Sequence, residues 1–126
     1  MKKKNNITSR DIGNAGEDAV CSYLKLRFYK VIARNYTVKG GELDIVSKRG
    51  SLLVFTEVKT RSAKHTELFG RAADSVRAEK IKHLRTAAKK FISDNNFYSY
   101  KVRFDVAEVY TNGSKMKINY IKDAFL

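Results

Sequence analysis

Asp44, Glu57 and Lys59 fall in two short β-rich stretches, Gly41-Glu42-Leu43-Asp44-Ile45-Val46 and Val54-Phe55-Thr56-Glu57-Val58-Lys59. Side chains two apart on a strand share a face, so Glu57 and Lys59 point the same way as Leu53 and Phe55. A charge on a core-facing side is costly unless it pairs or binds a metal. If Arg49-Gly50 is the two-residue loop of a hairpin, Lys48 pairs with Ser51, Asp44 with Phe55 and Glu42 with Glu57. All three charged residues then lie on one face. Asp44 is diagonal to Glu57, at roughly 7–8 Å between Cα atoms. Two carboxylates so spaced can converge on one cation, and a slip of one residue would separate them. Mg²⁺ suits this pair, because it takes one or two carboxylates, keeps waters and gains oxygens from phosphates. Lys59 can orient a water nucleophile or offset charge developing on a scissile phosphate. The same three residues also fit an ion-pair network at a strand end, and spacing alone does not choose between the two.

The elements that must position these residues are readable from periodicity. Thr8-Ser9 offers a cap for a helix over residues 11–28, with Ile12, Gly16, Val20, Tyr23 and Leu24 on one side. A strand over 31–38, a Gly40-Gly41 turn and strands over 42–47 and 52–59 follow. The stretch 61–73 has no periodicity and reads as a loop. Asp74 or Ser75 then caps a helix reaching about residue 94, with Val76, Ile81, Leu84, Ala87, Ala88, Phe91 and Ile92 as its apolar arc. Val102, Phe104 and Val106 alternate in one last strand, and Met116, Ile118 and Tyr120 in another, after an Asn112-Gly113 turn. The predicted fold is α/β, in the order α-β-β-β-α-β-β, with a central mixed sheet flanked by helices.

Composition narrows the partners. Among 126 residues, 26 Lys and Arg face 13 Asp and Glu, a net charge of +13. A small domain needs a net charge of only about 2–8 for solubility, so the excess points to a polyanion. Nucleic acid comes first and an anionic membrane surface second. No apolar run approaches the roughly 18 residues of a membrane span, and the basic N-terminal stretch leads into polar residues. Cys21 is the sole cysteine, so no internal disulfide forms, and a reducing cytoplasm is the expected setting. It has no accompanying His motif, and neither His65 nor His83 has a partner at ligand spacing. Arg61, Lys64, Arg71 and Arg77 surround the loop, and Lys82, Arg85, Lys89 and Lys90 decorate the second helix. Together they could track a phosphate backbone without reading sequence, although each alone also reads as a solvated surface charge. Lys80 sits inside the apolar arc, where it either snorkels or reaches a phosphate.

Asp44 followed by Glu57-x-Lys59 resembles the PD-(D/E)xK signature of restriction-endonuclease-like nucleases. The resemblance is closer to one bacterial group within that superfamily, the YraN-like proteins, and covers nearly the whole chain. Gly13-Asn14-Ala15-Gly16-Glu17, Arg34-Asn35, Gly41-Glu42-Leu43-Asp44, Phe55-Thr56-Glu57-Val58-Lys59-Thr60-Arg61, Arg103-Phe104-Asp105-Val106 and Asp123-Ala124-Phe125 carry it. Leu43 stands where the superfamily motif has proline.

The resemblance implies a restriction-endonuclease-like core holding Mg²⁺ or Mn²⁺. Asp44, Glu57 and the Val58 carbonyl would be its ligands, and Lys59 the catalytic lysine. It also implies that Glu17 reaches the site from the first helix. By position alone, Glu17 borders the apolar arc beside Gly13, Val20 and Leu24, and it also fits an exposed acid favoured by the helix macrodipole. The superfamily includes Holliday-junction resolvases, and the YraN-like group itself supplies no substrate. The resulting expectation is a single domain over 11–126 behind a basic tail over 1–10. It would hydrolyse DNA in preference to RNA, with branched or structured DNA among the candidates, and would act as a homodimer by analogy. The alternatives are a non-catalytic nucleic-acid-binding module on the same fold and a scaffold for a protein partner.

Overall fold

The computed structural model describes residues 9–62, 77–112 and 114–125, without the side chains of Ser9, Arg10, Ser62 and Arg77. Seven elements follow in order: α1 (Ser9–Leu26), β1 (Lys30–Val38), β2 (Gly41–Arg49), β3 (Leu52–Ser62), α2 (Arg77–Asn95), β4 (Lys101–Asn112) and β5 (Lys115–Ile121). The expected α/β order holds. Helix α1 begins at Ser9, within the stretch expected as a tail, and residues 1–8 lie outside the described residues. The expected caps Asp74 and Ser75 also lie outside them.

Both helices stop at a left-handed residue. Phe28 (φ 69°) and Asn96 (φ 57°) reverse the chain. Each is followed by an amide that reaches back five residues, Tyr29 to Leu24 and Phe97 to Ile92, both at 3.0 Å. Helix α1 therefore ends at Leu26, two residues short of expectation.

The strands form one sheet in the order β1-β2-β3-β4-β5. All neighbours are antiparallel except β3 and β4, which are parallel. Alternation along β3 divides the core. Val54 joins Val20, Cys21 and Leu24 of α1, with Ile45, Ala107 and Val109, on one face. Leu53 and Phe55 join Leu84, Ala87, Ala88 and Phe91 of α2 on the other. Of the expected apolar arc of α2, Leu84, Ala87, Ala88 and Phe91 are buried, Ile81 and Ile92 are partly buried, and Val76 lies outside the described residues.

The hairpin register differs from expectation by two residues. Arg49 pairs with Leu52 and Ile45 with Thr56, so the loop is Gly50-Ser51, not Arg49-Gly50. Gly50 at φ 60° takes the positive angle that the first position of a II′ loop requires. A slip of two keeps the parity of the faces, so the acids stay together. It also puts Asp44 and Glu57 just beyond the last rung of the ladder, Ile45–Thr56, not in a diagonal pair within it.

On the α1 face a buried polar cluster ties the later strands together. Asp105, fully buried, accepts three hydrogen bonds from the Arg103 guanidinium, one at 2.6 Å from the Tyr120 hydroxyl and one at 2.9 Å from the Asp123 amide. Tyr120 also meets the Thr56 hydroxyl at 3.0 Å, and Arg103 reaches Tyr29 at 3.0 Å. These contacts satisfy the buried carboxylate with opposite charge and hydrogen bonds. They also account for the Arg103-Phe104-Asp105-Val106 and Asp123-Ala124-Phe125 stretches as structural.

Candidate functional site

Asp44 occupies a break in the sheet. The β1 ladder passes from Arg34–Ile45 to Tyr36–Leu43, skipping Asn35 opposite Asp44. Asn35 is left-handed at φ 51°, an angle that asparagine tolerates better than most residues. On the other side the β3 ladder stops at Thr56. Released from both ladders, Asp44 accepts the Val58 amide on its Oδ2 at 2.8 Å.

Glu57 is 5% exposed and faces α2, where Lys80 Nζ lies 2.9 Å from its Oε2. A pocket of about 250 Å³ opens here, lined by Gly41, Glu42, Asp44, Glu57, Lys80, His83 and Leu84. Gly41 sets its depth, because any Cβ there would run into the backbone carbonyl of His83. Helix α2 can approach β2 closely only where β2 has no side chain.

The Asp44 carboxyl is strongly perturbed in this pocket. Burial pushes the Asp44 carboxyl from 3.8 up to about 7. The neighbouring Glu57 charge and a hydrogen bond between the two carboxyls push the same way, Glu17 adds a smaller push, and the Val58 amide opposes. Lys80 is held above its ordinary value, chiefly by its hydrogen bond to Glu57. The pocket thus pairs two facing acids with one ammonium.

The other expected residues are placed as follows. Lys59 is half-buried on the Glu57 face, level with Glu108 of β4. Among the described residues it has no ion pair. Glu17 is directed to Arg34, at 3.4 Å, and Arg34 also pairs with Asp18 at 2.8 Å. Glu17 therefore acts on Asp44 through its field. Gly16, one residue earlier, packs against Thr60, which brings α1 onto the end of β3. Val58 contributes its amide to Asp44, and its side chain packs towards α1. Arg61 lies two residues beyond Lys59 on the same face, and Arg85 is on the exposed surface of α2. Lys64, Arg71, His65 and the Arg77 side chain lie outside the described residues. Cys21 is buried among α1 contacts, and burial raises its thiol, as suits a core residue.

Sequence reasoning did not find Lys80 as the partner of Glu57, nor the roles of Gly41, His83 and Asn35. The Gly40-Gly41 doublet was the one local signal for close helix approach.

A family model described as "Uncharacterised protein family UPF0102" matches residues 16–109, which take in Gly16-Glu17 of the first-helix motif, both acids and α2. The chain belongs to that family. A UPF0102 protein of Clostridium botulinum (strain Alaska E43) is 41% identical over 127 residues, covering 99% of this chain and 98% of its own. One from Caldicellulosiruptor saccharolyticus is 37% identical over 121 residues, covering 94% and 100%. One from Christiangramia forsetii is 36% identical over 115 residues, covering 91% and 93%. UPF0102 is the YraN-like group that the motifs resemble, and the similarity runs end to end in these relatives. Among the described residues, no helix of this UPF0102 chain is long and apolar enough to cross a membrane.

Proposed function

We propose that this protein is a metal-dependent nuclease acting on DNA, with Asp44 and Glu57 as the metal-binding acids. The observation that carries the proposal is the meeting of two acids, buried Glu57 and half-buried Asp44, the latter raised to about 7, in one pocket open to solvent. The donor set fits a hard divalent cation, because carboxylate oxygens suit Mg²⁺ and Mn²⁺ and a substrate phosphate can complete the shell. Asp44 and Glu57 would hold the ion, with the Val58 carbonyl as a further oxygen at the same strand position. Once bound, the ion supplies an activated water and charge stabilisation at the phosphate.

The chain's own residues do the rest. The Val58 amide fixes the Asp44 carboxylate at 2.8 Å, so one oxygen stays oriented towards the pocket. Lys59, next along the Glu57 face, offsets charge on the scissile phosphate or holds the nucleophile's proton acceptor in line. Lys80 neutralises Glu57 and keeps the free site from gathering excess negative charge. Glu17 pairs with Arg34 and acts on Asp44 from α1 through its charge.

The deciding experiment is cleavage of labelled single-stranded, duplex, flap and four-way-junction DNA, and of RNA, with Mg²⁺ or Mn²⁺. Wild type should cut at least one DNA substrate, and Asp44→Asn should lower turnover by at least about 10²-fold without weakening binding. A second reading, a binding module without chemistry, is favoured by one observation: Lys80 already neutralises Glu57 at 2.9 Å. On that reading wild type and Asp44→Asn bind alike, chelation changes nothing and neither cuts.

A further inference from the structure

Helix α2 covers only half of its face of the sheet. It packs on β1, β2 and the Leu53–Phe55 part of β3. At the other half, the start of β4 is covered by Phe125, whose ring lies 6.4 Å from that of Phe104. Beyond that point, towards the ends of β3 and β4 and the start of β5, the described residues leave this face bare.

Register shows what this half carries. Phe55 stacks on Phe104 at 5.3 Å, which fixes them on one face, and the parallel pairing then runs Glu57–Val106, Lys59–Glu108 and Arg61–Tyr110. Across to β5, Glu108 is level with Asn119, Tyr110 with Lys117 and Asn112 with Lys115. The Asn119–Glu108 hydrogen bond at 2.9 Å shows that this pairing is made by side chains on one side. Four cations, Lys59, Arg61, Lys117 and Lys115, therefore share a face with Glu57, and Glu108 is the one acid among them. Lys115 and Lys117 are exposed, and Tyr110 lies between Arg61 and Glu108.

The geometry points to this half of the sheet face as the track on which a polynucleotide backbone lies as it enters the acid pocket, with Lys115 and Lys117 of β5 as its outer phosphate contacts. This rests on the nuclease reading for the direction of the track, and on charge complementarity for its occupant. A row of cations on a flat sheet, leading over two strands to a pair of acids, fits a phosphate chain. The acids hold the reacting phosphate and the lysines hold its neighbours. Strand β5 is an edge strand, and edge lysines also serve to block sheet-to-sheet pairing. That role gives no reason for the cations to line up with Glu57 across two further strands.

The test measures binding of labelled single-stranded and duplex DNA to the full chain across a salt series. It compares wild type, Lys115→Gln/Lys117→Gln, and a control of equal charge change on α1 and the start of β1, at the other edge of the sheet, Lys25→Gln/Lys30→Gln. Each lost phosphate contact lowers the slope of log K against log salt by about 0.9 for a duplex, so the β5 pair should lower it by about two. The control should leave the slope near that of wild type. Equal losses in both variants would reduce the effect to net charge and overturn the track. So would an unchanged slope in the β5 pair, which would leave those lysines to edge protection, and so would absence of salt-sensitive binding by wild type. Cleavage separates the two claims. A wild type that cuts while the β5 pair keeps its slope refutes the track alone. A wild type that never cuts while the slope drops refutes the nuclease alone.

Discussion

At the scale of single residues, Asp44 carries a cost that the folded chain bears in order to keep an acid in its pocket. Its proton is lost near 3.8 in an ordinary environment and near 7 in the fold. Between these values the native state holds a proton that the unfolded state has released, so Asp44 makes stability fall as pH rises through this window and then level off. The full shift corresponds to at most about 4 kcal/mol. Asp44→Asn keeps an acceptor for the Val58 amide and removes the charge. Without divalent ions at pH 8 it should stabilise the protein by roughly 1–4 kcal/mol, and it should flatten the decline between pH 4 and 7. Urea denaturation across that pH range checks this, and a variant less stable than wild type at pH 8 would refute it. Addition of Mg²⁺ or Mn²⁺ should raise the melting temperature of wild type and leave that of Asp44→Asn unmoved, because a ligand stabilises only the state that binds it. The two acids were legible in the sequence because strand alternation placed charge on an apolar face. Lys80 was legible only as an ambiguous cation, since its partner is 23 positions away and on another element.

Element scale brings in what lets α2 lie so close. Gly41→Ala places a methyl group against the His83 carbonyl, which is helix backbone and cannot turn aside. Gly16→Ala meets the Thr60 side chain, which can change rotamer. Both variants should lose stability, by about 1–3 kcal/mol for overpacking, with Gly41→Ala the more damaged. Gly41→Ala should also push α2 away from β2 and part Lys80 from Glu57, visible as a lower titration midpoint for the lysine in NMR. Comparable losses for the two variants would contradict this ranking. The order of elements and the helix faces were readable from period alone. The loop between β2 and β3 was misplaced by one residue, which slips the register by two, because Arg49-Gly50 and Gly50-Ser51 both suit a tight turn and local sequence does not separate them. Face parity survives such a slip. Asp44 and Glu57 therefore line one pocket despite the wrong register. Asn35 could not have been foreseen as left-handed, since that angle answers to the gap opposite Asp44.

The whole molecule is held at its far side by Asp105. Its partners come from β4, β5 and the turn after β5, and Tyr120 extends the cluster to β3. Asp105→Ala leaves Arg103 half-buried without its main partner and should cost about 3–5 kcal/mol, read by urea denaturation. DNA binding by the variant that remains folded should match wild type, because the cluster lies on the face opposite the acid pocket. Net charge predicted a polyanion partner from composition alone, yet only the pairing of β4 with β5 shows which lysines share a face with Glu57. Charge totals say nothing about where charge gathers.

The parallel pairing of β3 with β4 has a kinetic consequence. The β2–β3 turn closes over two residues, whereas Leu52 and its β4 partner Lys101 are 101 − 52 = 49 positions apart. Loop-closure entropy favours the local contact first. The hairpin that sets Asp44 beside Glu57 should therefore form before the crossover delivers Lys80. On that order of events the nascent hairpin carries two adjoining acids with no ammonium between them. Their mutual repulsion would weigh on the earliest folding step, and acidic pH or a divalent ion would speed refolding more than it slows unfolding.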